Sequence, residues 1–221
     1  MKDMNYFLKK TLYIVIFALL IFVLSVSCSR SEPEITFGFI KLVLYQGDPE
    51  PREHFSFFII PYDEDGNENL EEIFLYHDRD QLRWHIKSDE WLKHTIDGKE
   101  WIGTRSFTSN DGKLPRGEFR AVLVNKSGES SQRSFTYDGN ILYPFPELTI
   151  SNGVYTVTSR WPVNHLIFYD NSGNYLSTVR LSSLSGSVSN LGMPANARTA
   201  ALWAEDEANF CSAFTNVVPI N

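Results

Sequence analysis

A repeated pattern of short apolar runs and turn residues most constrains the fold of this chain. The pattern Tyr-Asp-x-x-Gly-Asn occurs at residues 62–67 and again at 169–174. Residues 121–136 also align without a gap on residues 200–215. Asp-x-x-Gly-Asn alone is common hairpin chemistry, but two matches in the same order, flanked by similar β-prone runs, indicate a duplicated β unit.

Strands are predicted wherever β-branched and aromatic residues lie between turn residues. The clearest predicted strands are residues 35–45, 55–60, 100–107, 119–124 and 130–137. We therefore predict an all-β chain of two tandem antiparallel β-sandwiches at 35–137 and 149–221, each with six or seven short strands. A connector at 138–148, stiffened by Pro144 and Pro146, joins them.

The segment before the last hairpin of the first half resembles part of a known domain family. Residues 114–120, Leu-Pro-Arg-Gly-Glu-Phe-Arg, resemble the final strands of bacterial immunoglobulin-like or fibronectin-type-III-like domains. The resemblance is one of pattern and covers most of residues 35–221. It implies a spacer or a binding module and brings no catalytic residues with it.

The first half is longer than the second between the matched segments. Tyr62 and Tyr169 are 107 positions apart whereas Phe135 and Phe214 are 79 apart, which leaves about 28 extra residues in an insertion around 76–105. This insertion holds three of the five tryptophans and three of the five histidines. The candidate partner-binding residues are Trp84, His85, Trp91, His94 and Trp101.

Two interpretations of that insertion stay open. Large aromatic side chains dominate protein-binding hot spots, which favours a recognition surface. Alternatively, the tryptophans form a small core beneath the insertion. Ser88 to His94 also reads as a short helical turn with Ser88 as its N-cap, and Asp97-Gly98 as the turn that follows.

The N-terminal segment has the features of a secretory signal. Lys9 and Lys10 precede an unbroken apolar run at 12–24, which is short for a membrane span, and small residues follow at 25–27. Residues 25–28, Ser-Val-Ser-Cys, resemble the lipobox of bacterial lipoproteins in the relaxed form found in spirochaetes, with Ser25 in place of the usual leucine.

That resemblance implies a signal peptide at 1–27, lipid on Cys28 and a polar tether at 28–34. Because two or more acyl chains hold a protein stably on a bilayer, the membrane is a predicted partner. By the same resemblance, Ser29 favours the outer membrane. An uncleaved signal anchor and ordinary cleavage remain alternatives.

Charge and cysteine content restrict the other partners. The chain has a formal net charge of −7, and removal of residues 1–27 takes away three lysines and one aspartate, which leaves −9. An acidic protein matches phosphate backbones poorly, so nucleic acid is disfavoured. If Cys28 is lipidated, Cys211 has no cysteine partner, and its apolar neighbours predict a buried, inert thiol.

No cofactor or metal site is predicted. His77, His85 and His94 lack helical ligand spacing, so a solvated loop is favoured over a metal centre. Residues 63–68 depart from the EF-hand calcium pattern, since Gly66 is fourth and Phe74 occupies the twelfth position.

The absence of nucleophile-elbow and phosphate-loop motifs predicts a protein that is not an enzyme. The leading hypothesis is a membrane-anchored lipoprotein that acts as a binding or scaffold module for a protein partner in the cell envelope. One alternative is a carbohydrate-binding surface protein with Trp84, Trp91 or Trp101 as stacking platforms. The other is an envelope hydrolase that uses paired carboxylates in an acidic cleft between the domains.

Metabolic labelling with palmitate tests the lipid anchor. The wild type and Cys211→Ala, a matched cysteine control, are expected to incorporate label, while Cys28→Ala loses it because the acceptor thiol is gone. Equal labelling of Cys28→Ala and the wild type would contradict the lipobox assignment.

Overall fold

The structure, a computed structural model, describes residues 31–220. The predicted signal peptide and Cys28 lie outside these residues. Glu32–Asn221 form one compact unit. Within residues 31–220 the regular structure consists of β-strands and short 3-10 helices, and no helix there has the length and apolarity to cross a membrane. The all-β prediction is confirmed.

The strands follow one another through the whole described chain. In order they are β1 (Glu34–Tyr45), β2 (Arg52–Tyr62), β3 (Leu70–His77), β4 (Leu82–Lys87), β5 (Leu92–Ile96), β6 (Lys99–Phe107), β7 (Gly117–Asn125), β8 (Ser130–Tyr137), β9 (Glu147–Ser151), β10 (Val154–Thr158), β11 (Val163–Tyr169), β12 (Tyr175–Arg180), β13 (Ser185–Ser187), β14 (Thr199–Asp206), β15 (Cys211–Phe214) and β16 (Val218–Pro219). The 3-10 helices are Asn67–Asn69, Asp78–Asp80 and Val188–Leu191.

One sheet runs through both halves of the chain. Its strand order is β12-β11-β14-β15-β1-β2-β6-β5, and β16 pairs with β14 as its ninth strand. The junction is the parallel pairing of β1 with β15, in which Leu42 lies opposite Cys211 and Tyr45 opposite Phe214. The backbone N–H of Leu42 donates to the carbonyl of Phe210 at 2.9 Å. The first strand of the first half is therefore bonded directly to the last hairpin of the second.

Two smaller sheets pack on the same face of this large sheet. The four-stranded sheet β4-β3-β7-β8 covers the first half, where Phe55 contacts Phe119 with ring centroids 5.1 Å apart and Phe57 contacts Phe135 at 5.5 Å. The three-stranded sheet β13-β10-β9 covers the second half. The core between this sheet and the large sheet contains Leu148, Tyr155, Val157, Leu166, Phe168, Ala200 and Leu202.

The two halves have separate core clusters, but the first is not confined to the first half. Ala204, Cys211 and Ala213 belong to the same buried cluster as Leu42 and Phe57. A layered β-sandwich arrangement agrees with the prediction, whereas the continuous sheet was not predicted. The division into two domains at 138–148 stays a prediction.

The predicted helical turn over 88–94 is not confirmed over its whole length: one turn is closed by the backbone N–H of Trp91, which donates to the carbonyl of Lys87 at 3.2 Å, and the chain is extended from Leu92. Ser88–Glu90 form a tight turn, and Leu92–Ile96 are strand β5, paired with β6. Asp97 and Gly98 have φ values of 52° and 73°, and this left-handed pair closes a two-residue hairpin that aligns the two strands. The hairpin overrides the local helical signal.

The connector packs on the first core. Tyr143 contacts Trp161 with ring centroids 5.8 Å apart, and the indole N–H of Trp161 donates to the carbonyl of Pro144 at 2.9 Å. Phe145 also packs against this core. Leu142 is 62% exposed. The connector is thus fixed by its aromatic residues.

Removing a core side chain at the junction tests the continuity of the sheet. Leu42→Ala is expected to lower the free energy of unfolding by about 2 to 5 kcal/mol, because it leaves a cavity in a fully buried site. Hydrogen-exchange mass spectrometry is expected to show weaker protection in both β7 and β11, since β1 bonds to both halves.

The control is Leu142→Ala, an exposed leucine whose loss is expected to change stability by about 0.5 kcal/mol or less. Protection lost in β7 but unchanged in β11 would show that the halves unfold independently.

Candidate functional site

The face of the nine-stranded sheet opposite the two smaller sheets is the candidate binding surface. Both smaller sheets pack on one side, and no strand or helix of residues 31–220 packs on the other. We call this other side the outer face. It comprises the outward side chains of the sheet, notably Phe37, Phe39, Lys41, Val43, Tyr45, His54, Ser56, Phe58, His94, Trp101, Arg105, His165, Ile167, Tyr169, Tyr175, Thr178, Arg180, Trp203, Glu205, Ser212 and Phe214.

A row of aromatic rings crosses the centre of the outer face. Phe214 stacks on Tyr45 with centroids 5.7 Å apart and on Trp203 at 5.8 Å, with interplanar angles of 20° and 4°. His165 stacks on Trp203 at 4.7 Å, and His54 approaches Tyr45 edge-on at 4.7 Å. These residues come from five adjacent strands, so the row spans both halves of the chain.

Stacking determines which part of each ring is available. Because the rings of Tyr45, Phe214, Trp203 and His165 turn their faces to one another, their edges point away from the sheet. The edge of an aromatic ring carries partial positive charge and its face partial negative charge. The row therefore presents weakly positive edges to a partner.

A second aromatic cluster lies toward the β5 edge of the outer face. Trp101 contacts Phe37 and Phe39 with centroids 5.8 and 5.5 Å apart. Phe58 stacks on Phe39 at 6.0 Å and contacts His94 at 5.6 Å. Phe37 is 53% exposed, so this cluster has an accessible apolar tip.

A groove of about 610 Å³ lies on the outer face where the two halves meet. Its aromatic lining comprises Tyr45, Tyr169, Tyr175, Trp203 and Phe214. Its polar and aliphatic lining comprises Lys41, Arg105, Ser56, Ser212, Thr178, Val43 and Ile167. Volumes of this order are typical of ligand-binding clefts.

The charges around this groove are mostly positive. Lys41 forms an ion pair with Glu205. Arg105 and Arg180 have no ion-pair partner within the part of the chain that the structure describes. Burial raises the pKa of Tyr45, and the nearby Arg105 guanidinium opposes that rise. Arg105 and Tyr45 both line the groove.

The two histidines of the aromatic row favour the neutral form. Burial, and then Arg52, lower the pKa of His54, while burial is also the main cause of the lowered pKa of His165. The Nδ1 atom of His165 and the indole Nε1 of Trp203 are buried without a hydrogen-bond partner. Protonation at this point of the row is therefore unfavourable.

Of the five residues proposed from the sequence, one belongs to the core and a second packs against it. Trp91 is 7% exposed and lies in the first core cluster. Trp84 packs against the same cluster, and its indole N–H donates to the carbonyl of Thr108 at 2.6 Å. Trp91 is too buried to offer the open ring face that sugar stacking requires, whereas Trp84 is partly exposed and lines a groove with Leu82 and Thr108. The mini-core interpretation fits the burial of Trp91, and the role of Trp84 stays a prediction.

The other three residues divide between two sheets. His85 lies on β4, stacks on Phe74 with centroids 4.3 Å apart and has its Nε2 3.2 Å from a Glu72 oxygen. His94 and Trp101 are paired across β5 and β6 on the outer face. The insertion therefore contributes only its last two candidates to the outer face, and their role in binding stays a prediction.

Most of the outer face could not be identified from the sequence. Tyr45, Trp203, Phe214 and His165 were not singled out, because they come from opposite ends of the chain. The only available signal was the alternation of large aromatic residues with inward apolar ones along β1, β11 and β14. Alternation locates a face, but it does not show which strands share it.

The remaining candidate sites have structural roles. Cys211 is a buried free thiol, as predicted, and burial raises its pKa to about 11. The carboxylate of Asp63 accepts hydrogen bonds from the backbone N–H of Asp65 and from the side-chain amides of Asn69 and Asn125. Among the described residues no group of three His, Cys, Asp or Glu residues is arranged to hold a metal ion.

No protein-family model and no curated protein matches the chain. Among solved structures, Tp47, the 47-kilodalton lipoprotein of Treponema pallidum, aligns over 87% of this chain and 51% of its own with 11% identity and a TM-score of 0.44. This chain thus spans about half of that protein.

Two further solved structures align with weaker scores. Dimeric latent PorU from Porphyromonas gingivalis aligns over 87% of this chain and 20% of its own, with 12% identity and a TM-score of 0.32. Murine CEACAM1b aligns over 84% of this chain and 99% of its own, with 8% identity and a TM-score of 0.27. With TM-scores below 0.5, none of these similarities carries an argument about function.

The lowered pKa values of His54 and His165 predict a pH dependence of stability. Because the unfolded chain binds protons more readily at these positions, their stabilising effect is present above a pH of about 6.5 and is lost as the pH falls toward the folded pKa. His165→Gln is therefore expected to show a smaller fall in melting temperature between pH 7.5 and pH 5 than the wild type.

Thr95→Ala, a change at an exposed non-titrating position on β5, is the matched control and is expected to follow the wild type. If the melting temperature of His165→Gln falls as much as that of the wild type, His165 is not the source of the pH dependence.

Proposed function

We propose that this protein is a lipid-anchored, non-catalytic binding module of the bacterial cell envelope, and that its outer face receives a protein partner. The observation that carries the proposal is the uncovered aromatic surface on the nine-stranded sheet. The sequence of residues 25–28 supports the anchor, and Ser29 supports an outer-membrane location by the same resemblance.

The predicted tether between the lipid and the first strand is short. The tether at 28–34 has seven residues, and β1 begins at Glu34. A fully extended chain rises by at most about 3.5 Å per residue, so this tether spans roughly 25 Å at most. Such a tether would keep the protein attached to the membrane that carries the lipid.

The outer face has the composition of a binding surface. Aromatic residues bury large areas at little cost in conformational entropy, and they are enriched in the centres of protein interfaces. The row from His54 to His165 crosses both halves of the chain, so a partner placed on it would contact the whole module. Phe37 and Tyr175, which are 53% and 64% exposed, extend the surface toward opposite ends of the sheet.

The chemistry of the groove favours binding over hydrolysis. A carboxylate-based hydrolase needs two acidic groups facing a cleft. Among the described residues that line the outer-face groove there are two cations, Lys41 and Arg105, and no Asp or Glu. The neighbouring Glu205 is held in its ion pair with Lys41.

Site-specific photocrosslinking in the native cell tests the proposal. A photoreactive phenylalanine analogue replaces Phe37 or Tyr175 on the outer face, and separately Leu142 or Val154 elsewhere. The control positions have similar exposure, 62% and 47%. Discrete adducts are expected from the two outer-face positions only, because the partner contacts that side.

Adducts of equal yield at all four positions would indicate unspecific contact. Adducts confined to Leu142 or Val154 would place the partner on another surface and contradict the proposal. The lipidated full-length chain is used throughout, so that the membrane constrains the encounter.

A further inference from the structure

We propose that the groove on the outer face binds an acidic, extended polypeptide segment of the partner, and that Arg105 receives one of its carboxylates. This inference rests on the proposed function and adds the chemical class of the partner. It combines the charge of the groove, its hydrogen-bond donors, the orientation of the aromatic rings and a free sheet edge.

The groove carries positive charge on an acidic protein. The protein as a whole carries a formal net charge of −7, yet the groove is lined by Lys41 and Arg105. Lys41 is neutralised by Glu205, whereas Arg105 has no ion-pair partner within residues 31–220. An arginine left unpaired on an acidic protein attracts a carboxylate, with which its planar guanidinium forms paired hydrogen bonds.

Hydroxyl groups supply further donors beside Arg105. Tyr45, Tyr169 and Tyr175 all line the groove, so three phenol groups border the same space. The hydroxyl of Thr178 donates to that of Tyr175 at 3.4 Å. Burial and these neighbours raise the pKa of Tyr169, which keeps its phenol protonated and able to donate. This set of donors suits an anion.

The aromatic row favours a polypeptide over a polysaccharide. Sugar rings stack on aromatic faces, but the faces of Phe214 and Trp203 are used in stacking on each other. The exposed ring edges carry partial positive charge and suit carboxylates and carbonyl oxygens.

A free sheet edge borders the groove. Tyr175 and Thr178 belong to β12, which pairs only with β11 among the described strands. A polypeptide can add to such an edge through main-chain hydrogen bonds, and its side chains on the outer face then lie beside Tyr175 and Thr178, at one end of the groove. A polysaccharide cannot form that ladder.

Fluorescence anisotropy on the full-length chain in non-ionic detergent tests the inference. The probe is a labelled eight-residue peptide of alternating Glu and Val, which places its carboxylates on one face of a strand. The comparison peptides replace Glu by Gln or by Lys, and alginate serves as the acidic polysaccharide. The Glu peptide is expected to bind, with lower affinity at higher salt, and the Gln and Lys peptides to bind at least about tenfold more weakly.

Two substitutions locate the site. Arg105→Gln is expected to weaken binding of the Glu peptide about tenfold, because a charged hydrogen bond is lost. Its side chain is exposed and has no ion pair, so the fold is expected to survive. The matched control is Arg83→Gln, an exposed arginine that lies over Phe74 on the four-stranded sheet. Tyr175→Phe, which removes one donor, is the second variant.

Each other outcome overturns the inference. Equal binding of the Glu and Gln peptides would show that the groove does not recognise a carboxylate. Equal effects of Arg105→Gln and Arg83→Gln would show that the peptide does not bind in the groove. Tighter binding of alginate than of the Glu peptide would indicate that the ligand is an acidic glycan and not a polypeptide. If the photocrosslinks arise on the outer face but the Glu peptide does not bind, this inference fails while the proposed function stands.

Discussion

The parallel pairing of β1 with β15 is the interaction on which the rest of the structure depends. Parallel strands need a long connection between them, and here that connection is most of the chain, from Tyr45 to Cys211. Once this pairing forms, strands from both halves share one sheet, and Ala204, Cys211 and Ala213 enter the core of the first half. The small side chains at these positions allow the junction to be buried.

The shared sheet also determines what is exposed. Because both smaller sheets pack on the same side, the opposite side stays open across the junction. Side chains from five strands meet there and form the row of His54, Tyr45, Phe214, Trp203 and His165. Cross-strand aromatic pairs stabilise the sheet, and the same rings present their edges to a partner. Stability and the proposed binding function therefore draw on the same residues.

Local features were predictable from the sequence, and long-range pairing was not. Asp63 and Asp170 were recognised as equivalent turn residues, and each accepts a backbone N–H from two positions later, at 2.9 and 2.8 Å. Yet the strands around them are paired differently. The strands β11 and β12, which flank Asp170, form a hairpin, whereas β2 and β3, which flank Asp63, lie in different sheets. Turn chemistry is set by a few adjacent residues, while sheet membership depends on partners far away in sequence. For the same reason Trp101 was placed with Trp84 and Trp91, although only Trp101 lies on the outer face.

Strand β1 joins the two halves of the chain into one sheet. The most direct test is a measurement of nuclear Overhauser contacts across the β1–β15 pair in the isotopically labelled protein. The account predicts backbone contacts between residues 42–45 and residues 211–214, together with a slowly exchanging amide at Leu42, which donates to Phe210. Absence of these contacts, with β1 and β15 each an unpaired edge strand, would contradict it.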